Sequence, residues 1–180
     1  TSSDDRSLEL PRNCLDEIIE YFRRDSPDET GGILTGVYPD GANGRVVRGA
    51  DPPPDSIQSP TTFVRGTEAV EESLKESKER FGVYYLGEWH THPGGPPTLS
   101  PQDAREMQSI ADDESYECPH PFLIIIGETP DTGIMIKPYL FNRSGTYEEL
   151  TIAGESTSSD IGVDTCSGAA VYCPDGGNHD

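Results

Sequence analysis

Glu88-Trp89-His90-Thr91-His92-Pro93-Gly94-Gly95-Pro96-Pro97-Thr98-Leu99-Ser100-Pro101-Gln102-Asp103 is the stretch on which the reading of this 180-residue chain turns. Val83–His92 reads as a strand, and residues i and i+2 of a strand point to one face. His90 and His92 can therefore present two imidazole nitrogens to one ion at about 2 Å. The run Pro93–Pro97 breaks regular structure, and Ser100-Pro-Gln-Asp103 opens a helix expected to reach about Asp112. Folding that helix start back against the strand end brings in the Asp103 carboxylate as a third ligand. A fourth position is then left for water, which is the open arrangement of a catalytic zinc and not a structural one. The same four residues are also a good helix start, with Ser100 as N-cap, Pro101 at N1 and an acid at N3. Capping and metal binding are competing uses of Asp103, and the neighbouring histidine pair favours the second.

Working outward, Leu15, Ile18, Ile19 and Phe22 recur at three- and four-residue spacing, so Leu10–Arg24 is expected to be an amphipathic helix. Thr30–Tyr38 is a short glycine-containing strand and Arg45–Ala50 its hairpin partner. The proline-rich Asp51–Pro60 is expected to be a loop, Thr61–Arg65 a strand and Thr67–Arg80 a charged helix with Thr67 as N-cap. Phe122–Gly127 is a continuous apolar run of the buried-strand kind, and Ile134–Phe141 its hairpin neighbour. Trp89 and Tyr84 are expected in the core; His120 and His179 suggest no function. The alternation of strands and helices gives an α/β fold, a mixed central sheet flanked by helices, over residues 1–153. Residues 154–180 are rich in Gly, Ser and Asp and are expected to form a flexible polar acidic tail.

The chain has 33 acidic and 13 basic residues, a net charge of −20, and only three lysines. Such a field repels phosphate backbones and anionic lipid, which argues against nucleic-acid or membrane binding. The acids are dispersed, as expected of a protein working in a salt-rich cytosol; a surface matched to a basic partner is the competing explanation. No run approaches the roughly 18 apolar residues of a membrane span, and no signal-peptide pattern opens the sequence, so a soluble cytoplasmic protein is expected. Cys14, Cys118, Cys166 and Cys173 form no CxxC pair and are expected to be free thiols.

With these residues in view, the sequence resembles the JAMM or MPN+ metalloproteases, and within them the prokaryotic JAB group. The family signature is an upstream Glu followed by His-x-His-x(7)-Ser-x-x-Asp. His90, His92, Ser100 and Asp103 match it without a gap, and Glu29 matches within Glu29-Thr-Gly-Gly-Ile-Leu-Thr-Gly36. Gly87-Glu-Trp-His-Thr-His-Pro93 and the Pro119–Gly127 segment extend the likeness over about residues 10–150. The resemblance implies a cytidine deaminase-like α/β/α core. It also implies one zinc ion per chain held by His90, His92 and Asp103, with Glu29 as general base and then acid, and Ser100 as a hydrogen-bond donor to the oxyanion. Glu88, on the same strand face as His90, is the rival base; Glu29 is preferred because the match includes the glycines after it and because a base approaches the water from another strand.

Enzymes of this kind cleave isopeptide or peptide bonds at the C-terminus of ubiquitin or a ubiquitin-like modifier. The resemblance therefore implies a zinc-dependent isopeptidase acting on a β-grasp modifier or its lysine conjugates, with ubiquitin-activating-like enzymes as further partners. The alternatives are a zinc hydrolase acting on a sulfur-carrier or peptide adduct, and a non-catalytic MPN scaffold; the scaffold is disfavoured because all five positions stand.

Overall fold

Along the chain run β1 (Leu8–Glu9), α1 (Arg12–Asp25), β2 (Gly31–Val37), β3 (Gly44–Gly49), β4 (Ile57–Ser59), β5 (Thr62–Val64), α2 (Val70–Phe81), β6 (Tyr84–His92) and α3 (Pro101–Asp112). After a 3-10 turn at Glu114–Tyr116 follow β7 (Phe122–Thr129), β8 (Gly133–Phe141), β9 (Tyr147–Glu149), β10 (Ile152–Ala153), β11 (Ile161–Val163) and β12 (Ala170–Tyr172). The computed structural model describes residues 6–41, 43–153, 161–163 and 170–172.

The large sheet has the order β10-β1-β3-β2-β6-β7-β8-β12-β11, with β9 beside β8, while β4 and β5 form a separate hairpin. β6 and β7 are parallel, and their outer neighbours β2 and β8 run antiparallel to them, which makes the sheet mixed. Both faces of β7 are buried. Phe122, Ile124 and Ile126 pack with Leu15, Ile18, Ile19 and Phe22 of α1, whereas Leu123 and Ile125 pack with Met107 of α3. This is why the segment reads as a continuous apolar run instead of an alternating one. The expected α/β fold, with its mixed sheet between helices, is the one observed.

One irregularity decides which face the histidines occupy. In the β2–β6 pairing, Gly87 lies opposite Leu34 but Tyr85 lies opposite Thr35, so Leu86 is an extra residue. A bulge of this kind resets the side-chain alternation. Leu86 and Trp89 both enter the α1 layer, while Tyr85 and Glu88 meet on the other side, where the Tyr85 hydroxyl donates to Glu88 Oε2 at 2.7 Å. From Glu88 onward alternation resumes, and His90 and His92 face α3.

Several expectations need correction. The Asp51–Pro60 loop contains β4, because Ile57–Ser59 pairs with Thr62–Val64. Thr67 does not cap α2: its N–H donates to Asp55 Oδ2 at 3.0 Å, and the helix begins after Ala69, which adopts a left-handed conformation. Trp89 is fully buried, but Tyr84 is half exposed at the rim of the sheet. The expected tail, 154–180, lies largely outside the described residues. Of it, only Ile161–Val163 and Ala170–Tyr172 are described, both as strands, the second pairing with β8. Cys14 and Cys118 are buried free thiols; Cys166, Cys173 and His179 lie outside the described residues. No described helix is long and apolar enough to cross a membrane.

Candidate metal centre

His90 and His92 project from the end of β6 toward the first turn of α3, with Thr91 between them on the opposite face. Thr91 ties the histidines to the strand that precedes them in space: Thr30 N–H donates to Thr91 Oγ1 at 2.9 Å, and Thr91 N–H donates to the Thr30 carbonyl at 2.9 Å. Gly31 pairs with His90. Glu29, immediately before this contact, is thereby held beside His92, and it lines the same cleft as His92, Ser100 and Asp103.

The Pro/Gly turn brings α3 back as the sequence suggests. Gly95 accepts from Glu128 N–H at 2.9 Å, and Pro97 accepts from the Tyr139 hydroxyl at 3.0 Å. The turn lies so close to β7 that a Cβ at Gly127 would come within 2.5 Å of Pro97 N, so any side chain there would push the turn, and α3 with it, away from the histidines.

Asp103 is at the centre. Its Oδ1 lies 3.2 Å from His90 Nδ1 and its Oδ2 3.2 Å from His92 Nε2. It also completes a capping box: Ser100 N–H donates to Asp103 Oδ2 at 3.0 Å, and Asp103 N–H donates to Ser100 Oγ at 3.0 Å. Asp103 therefore caps α3 and at the same time sets its carboxylate against both imidazoles. The cap fixes the carboxylate rotamer that faces the imidazoles. His92 Nδ1 faces the Pro96 carbonyl at 3.3 Å, and a hydrogen bond there assigns the proton to Nδ1 and leaves Nε2 turned toward Asp103. Phe63 of β5 meets the His90 ring edge-on, with centroids 5.4 Å apart.

The electrostatics favour a cation. Burial works against the Asp103 charge, yet the hydrogen bonds from His90, His92 and Ser100 N–H outweigh it and hold the carboxyl far below its ordinary range. Burial also works against a charged His92, but the hydrogen bond and charge of Asp103 raise it. Glu29 is raised, first by burial and further by the charge of Asp103, with His92 acting in the opposite direction. Each imidazole thus meets a different oxygen of Asp103 at 3.2 Å, and among the described residues the three side chains whose ligand atoms all lie within 4.8 Å of one another are His90, Asp103 and Glu106, without His92. Two imidazoles and one carboxylate are a donor set that suits zinc.

Glu88 is placed otherwise. Its buried carboxylate is paired with Arg65 and accepts from Tyr85, so its oxygens are turned away from the cleft. The structure adds one residue that motif reading misses. Glu106 stands one helical turn after Asp103, and an oxygen of each carboxylate and a nitrogen of His90 lie within 4.8 Å of one another. The i, i+3 spacing from Asp103 is the signal that places it on that face.

The model of prokaryotic homologs of the JAB domain matches residues 11–138. The chain belongs to this family. It is accordingly a hydrolase of the JAB peptidase kind. It is 36% identical over 125 residues to the CD-NTase/cGAS isopeptidase of Enterobacter hormaechei subsp. hoffmannii, an alignment covering 69% of each chain. It is 33% identical over 102 residues to a probable TtuB-protein conjugate cleaving protease of Thermus thermophilus, covering 56% of this chain and 64% of that protein. The chain thus spans about two thirds of each curated relative. In fold, the solution structure of a Desulfitobacterium hafniense protein superposes with a TM-score of 0.61 at 24% identity, covering 83% of this chain and 94% of that one.

Proposed function

We infer that this JAB-family chain is a zinc-dependent isopeptidase that releases a ubiquitin-like modifier from lysine conjugates or trims the modifier's C-terminus. The observation that carries the reading is the single carboxylate, Asp103, set 3.2 Å from both imidazoles at the floor of a cleft that Glu29 also lines. His90, His92 and Asp103 would hold the ion. When bound, zinc would acidify a water and polarise the scissile carbonyl.

The remaining steps belong to the chain's own residues. Glu29, outside the ligand set, takes the proton of the attacking water and returns it to the departing lysine amine; burial raises its pKa above the ordinary carboxylate value, the direction that favours accepting a proton. Ser100 Oγ accepts the Asp103 N–H, and a hydroxyl that accepts still has its own proton to donate. That proton is directed to the oxygen on which charge accumulates. Thr61, Phe63 and Gly95 to Pro96 complete the wall of the cleft, whose volume of about 520 Å³ suits an extended chain segment better than a folded surface. An extended, glycine-ending modifier tail is the substrate segment that fits, since a strand lays its backbone along an exposed sheet edge.

The names of the relatives support cleavage of protein conjugates, and the net charge of −20 suggests a salt-rich cytoplasm as the setting, where repulsion from an acidic modifier is screened. The test is zinc content by elemental analysis together with cleavage of a modifier–lysine conjugate in high salt by wild type and Glu29→Gln. One zinc per chain in both, with cleavage only by wild type, is the expected result. Purified protein that holds no zinc and cannot be reloaded would leave the scaffold reading in its place.

A further inference from the structure

The hairpin β4–β5 is not part of the large sheet, yet it touches the site at three points. The Ser59 carbonyl accepts the Glu29 N–H at 2.8 Å, and the Gln58 amide donates to the Glu29 carbonyl at 3.3 Å, so the backbone of the base is held by β4. Phe63 packs edge-on against His90 and lies so close over Gly31 that a Cβ there would come within 2.4 Å of its ring. The base of the hairpin is closed by Asp55 and Ser56, which accept from Thr67, Glu68 and Gly66 N–H at 2.9–3.0 Å. Phe63 is the one of these contacts that reaches β6, through the His90 ring, and none of them ties the hairpin to that strand by a hydrogen bond or ion pair.

Arg65 does. It leaves the end of β5, is nearly buried, and pairs its Nε with Glu88 two residues before His90. Its other nitrogens donate to the Gly66 carbonyl at 2.9 Å and to the Tyr116 hydroxyl. Glu88 in turn accepts from Tyr85. A guanidinium held at three sides has a fixed plane, and a buried pair of this kind specifies geometry more than it adds stability. We propose that Arg65, through Glu88, is a positioning residue that sets the β4–β5 hairpin on the ligand strand and so fixes both the Glu29 backbone and the His90 ring. The inference rests on the reaction proposed above for the role of Glu29. It concerns a residue that touches neither the substrate nor the ion.

The experiment uses the full chain carrying Arg65→Met with Glu88→Gln. Removing Arg65 alone would strand a buried charge and risks unfolding; Glu88→Gln removes that charge and keeps an acceptor for Tyr85. An Ile18→Val variant, chosen to match any loss in thermal midpoint, controls for stability. Zinc content, kcat and KM on a modifier–lysine conjugate, and amide hydrogen exchange of peptides spanning 26–31 and 56–65 are measured on all three proteins. The expected result is retained zinc, KM within about threefold, kcat lower by ten- to a hundredfold as reacting groups lose alignment, and at least about tenfold faster exchange in the two peptides.

Unchanged kcat, or exchange as slow as wild type, overturns the proposal. So does loss of zinc, or a fall in kcat equalled by Ile18→Val, since either makes Arg65 merely structural. If wild type cleaves no conjugate, the proposed reaction fails on its own, and the exchange arm still decides whether Arg65 holds the hairpin and the Glu29 amide in place.

Discussion

In the proposed reaction Ser100 would carry two separable duties. Its Oγ accepts the Asp103 N–H at 3.0 Å as the N-cap of α3, and in that reaction its hydroxyl proton would be donated to the developing oxyanion. Losing an N-cap to Ala costs about 1 kcal/mol, whereas Gly at the same place costs only a few tenths. For a 180-residue chain, unfolding entropy of roughly 2.1 cal/mol/K per residue makes 1 kcal/mol worth about 2–3 °C in Tm. Removing one oxyanion donor lowers kcat by about 10²- to 10³-fold, or roughly 3–4 kcal/mol of transition-state stabilisation. Ser100→Ala is therefore expected to lose both a few degrees and two orders of magnitude in rate, and Ser100→Gly to lose the rate alone. Calorimetry gives the first quantity, single-turnover cleavage of a modifier–lysine conjugate the second, and elemental analysis guards against loss of Asp103 as a ligand. A Ser100→Gly protein that keeps its zinc and cleaves within threefold of wild type would refute the donation; rate losses tracking Tm across both variants would show that only the cap matters.

Glu29→Gln is expected to bind zinc as wild type does and to cleave about 10²- to 10⁴-fold more slowly, the range a general base contributes; a modest loss would shift the proton transfer elsewhere. Chelation should abolish cleavage and lower Tm, and zinc should restore both, because an ion bound to the native state alone stabilises it; a chelated protein that cleaves normally would contradict the assignment. In the metal-free chain Asp103 is lowered, so its contribution to stability is present above the ordinary carboxylate value and lost as pH falls through its folded value. His92 is raised, burial being outweighed by Asp103, so its contribution is full below the ordinary histidine value and lost as pH rises through its folded value. Metal-free Tm is thus expected to peak between the two ranges. Zinc affinity should begin to fall at a pH above the ordinary histidine range, because the proton on His92 competes with the ion; affinity flat down to pH 5 in a competition titration would sink this. Cleavage should rise between low and molar salt as like charges are screened, and a fall would favour a basic partner.

The spacing of His90, His92 and Asp103 was legible because it depends on local geometry: the two-residue period of a strand, a Pro/Gly break and a helix start. Glu29 was not legible from spacing, since it lies 61 positions before His90; only the likeness to the family points to it, and the Thr30–Thr91 hydrogen bonds supply the physical reason. The bulge at Leu86 left no mark, because Tyr84-Tyr-Leu-Gly-Glu88 is equally compatible with a regular strand, in which Leu86 and Glu88 would share a face. Thr67 misled because an Asp distant in sequence, Asp55, takes the N–H that a cap model leaves free. Glu88 read as a rival base and Arg65 carried no signal, and the pairing that buries them joins two separate sheets.

Asp103 shows why competing local readings need not exclude each other. A carboxylate has two oxygens with about four acceptor directions, and here one oxygen faces His90 while the other takes the Ser100 N–H and faces His92. The cap removes rotamer freedom that Asp103 would otherwise lose as a metal ligand, so in the proposed site part of the ordering would precede binding. The N-terminal end of α3 also carries the positive pole of the helix, and it points into the cleft through Ser100, Gln102 and Asp103. That pole favours negative charge both on the resting carboxylate and on an oxygen developing charge beside Ser100. Because the bond that holds the carboxylate comes from the Ser100 backbone N–H, Ser100→Ala and Ser100→Gly both keep it, and zinc affinity in a competition titration is expected to stay close to wild type in both; a large loss in either would show that the Oγ half of the box also orients Asp103.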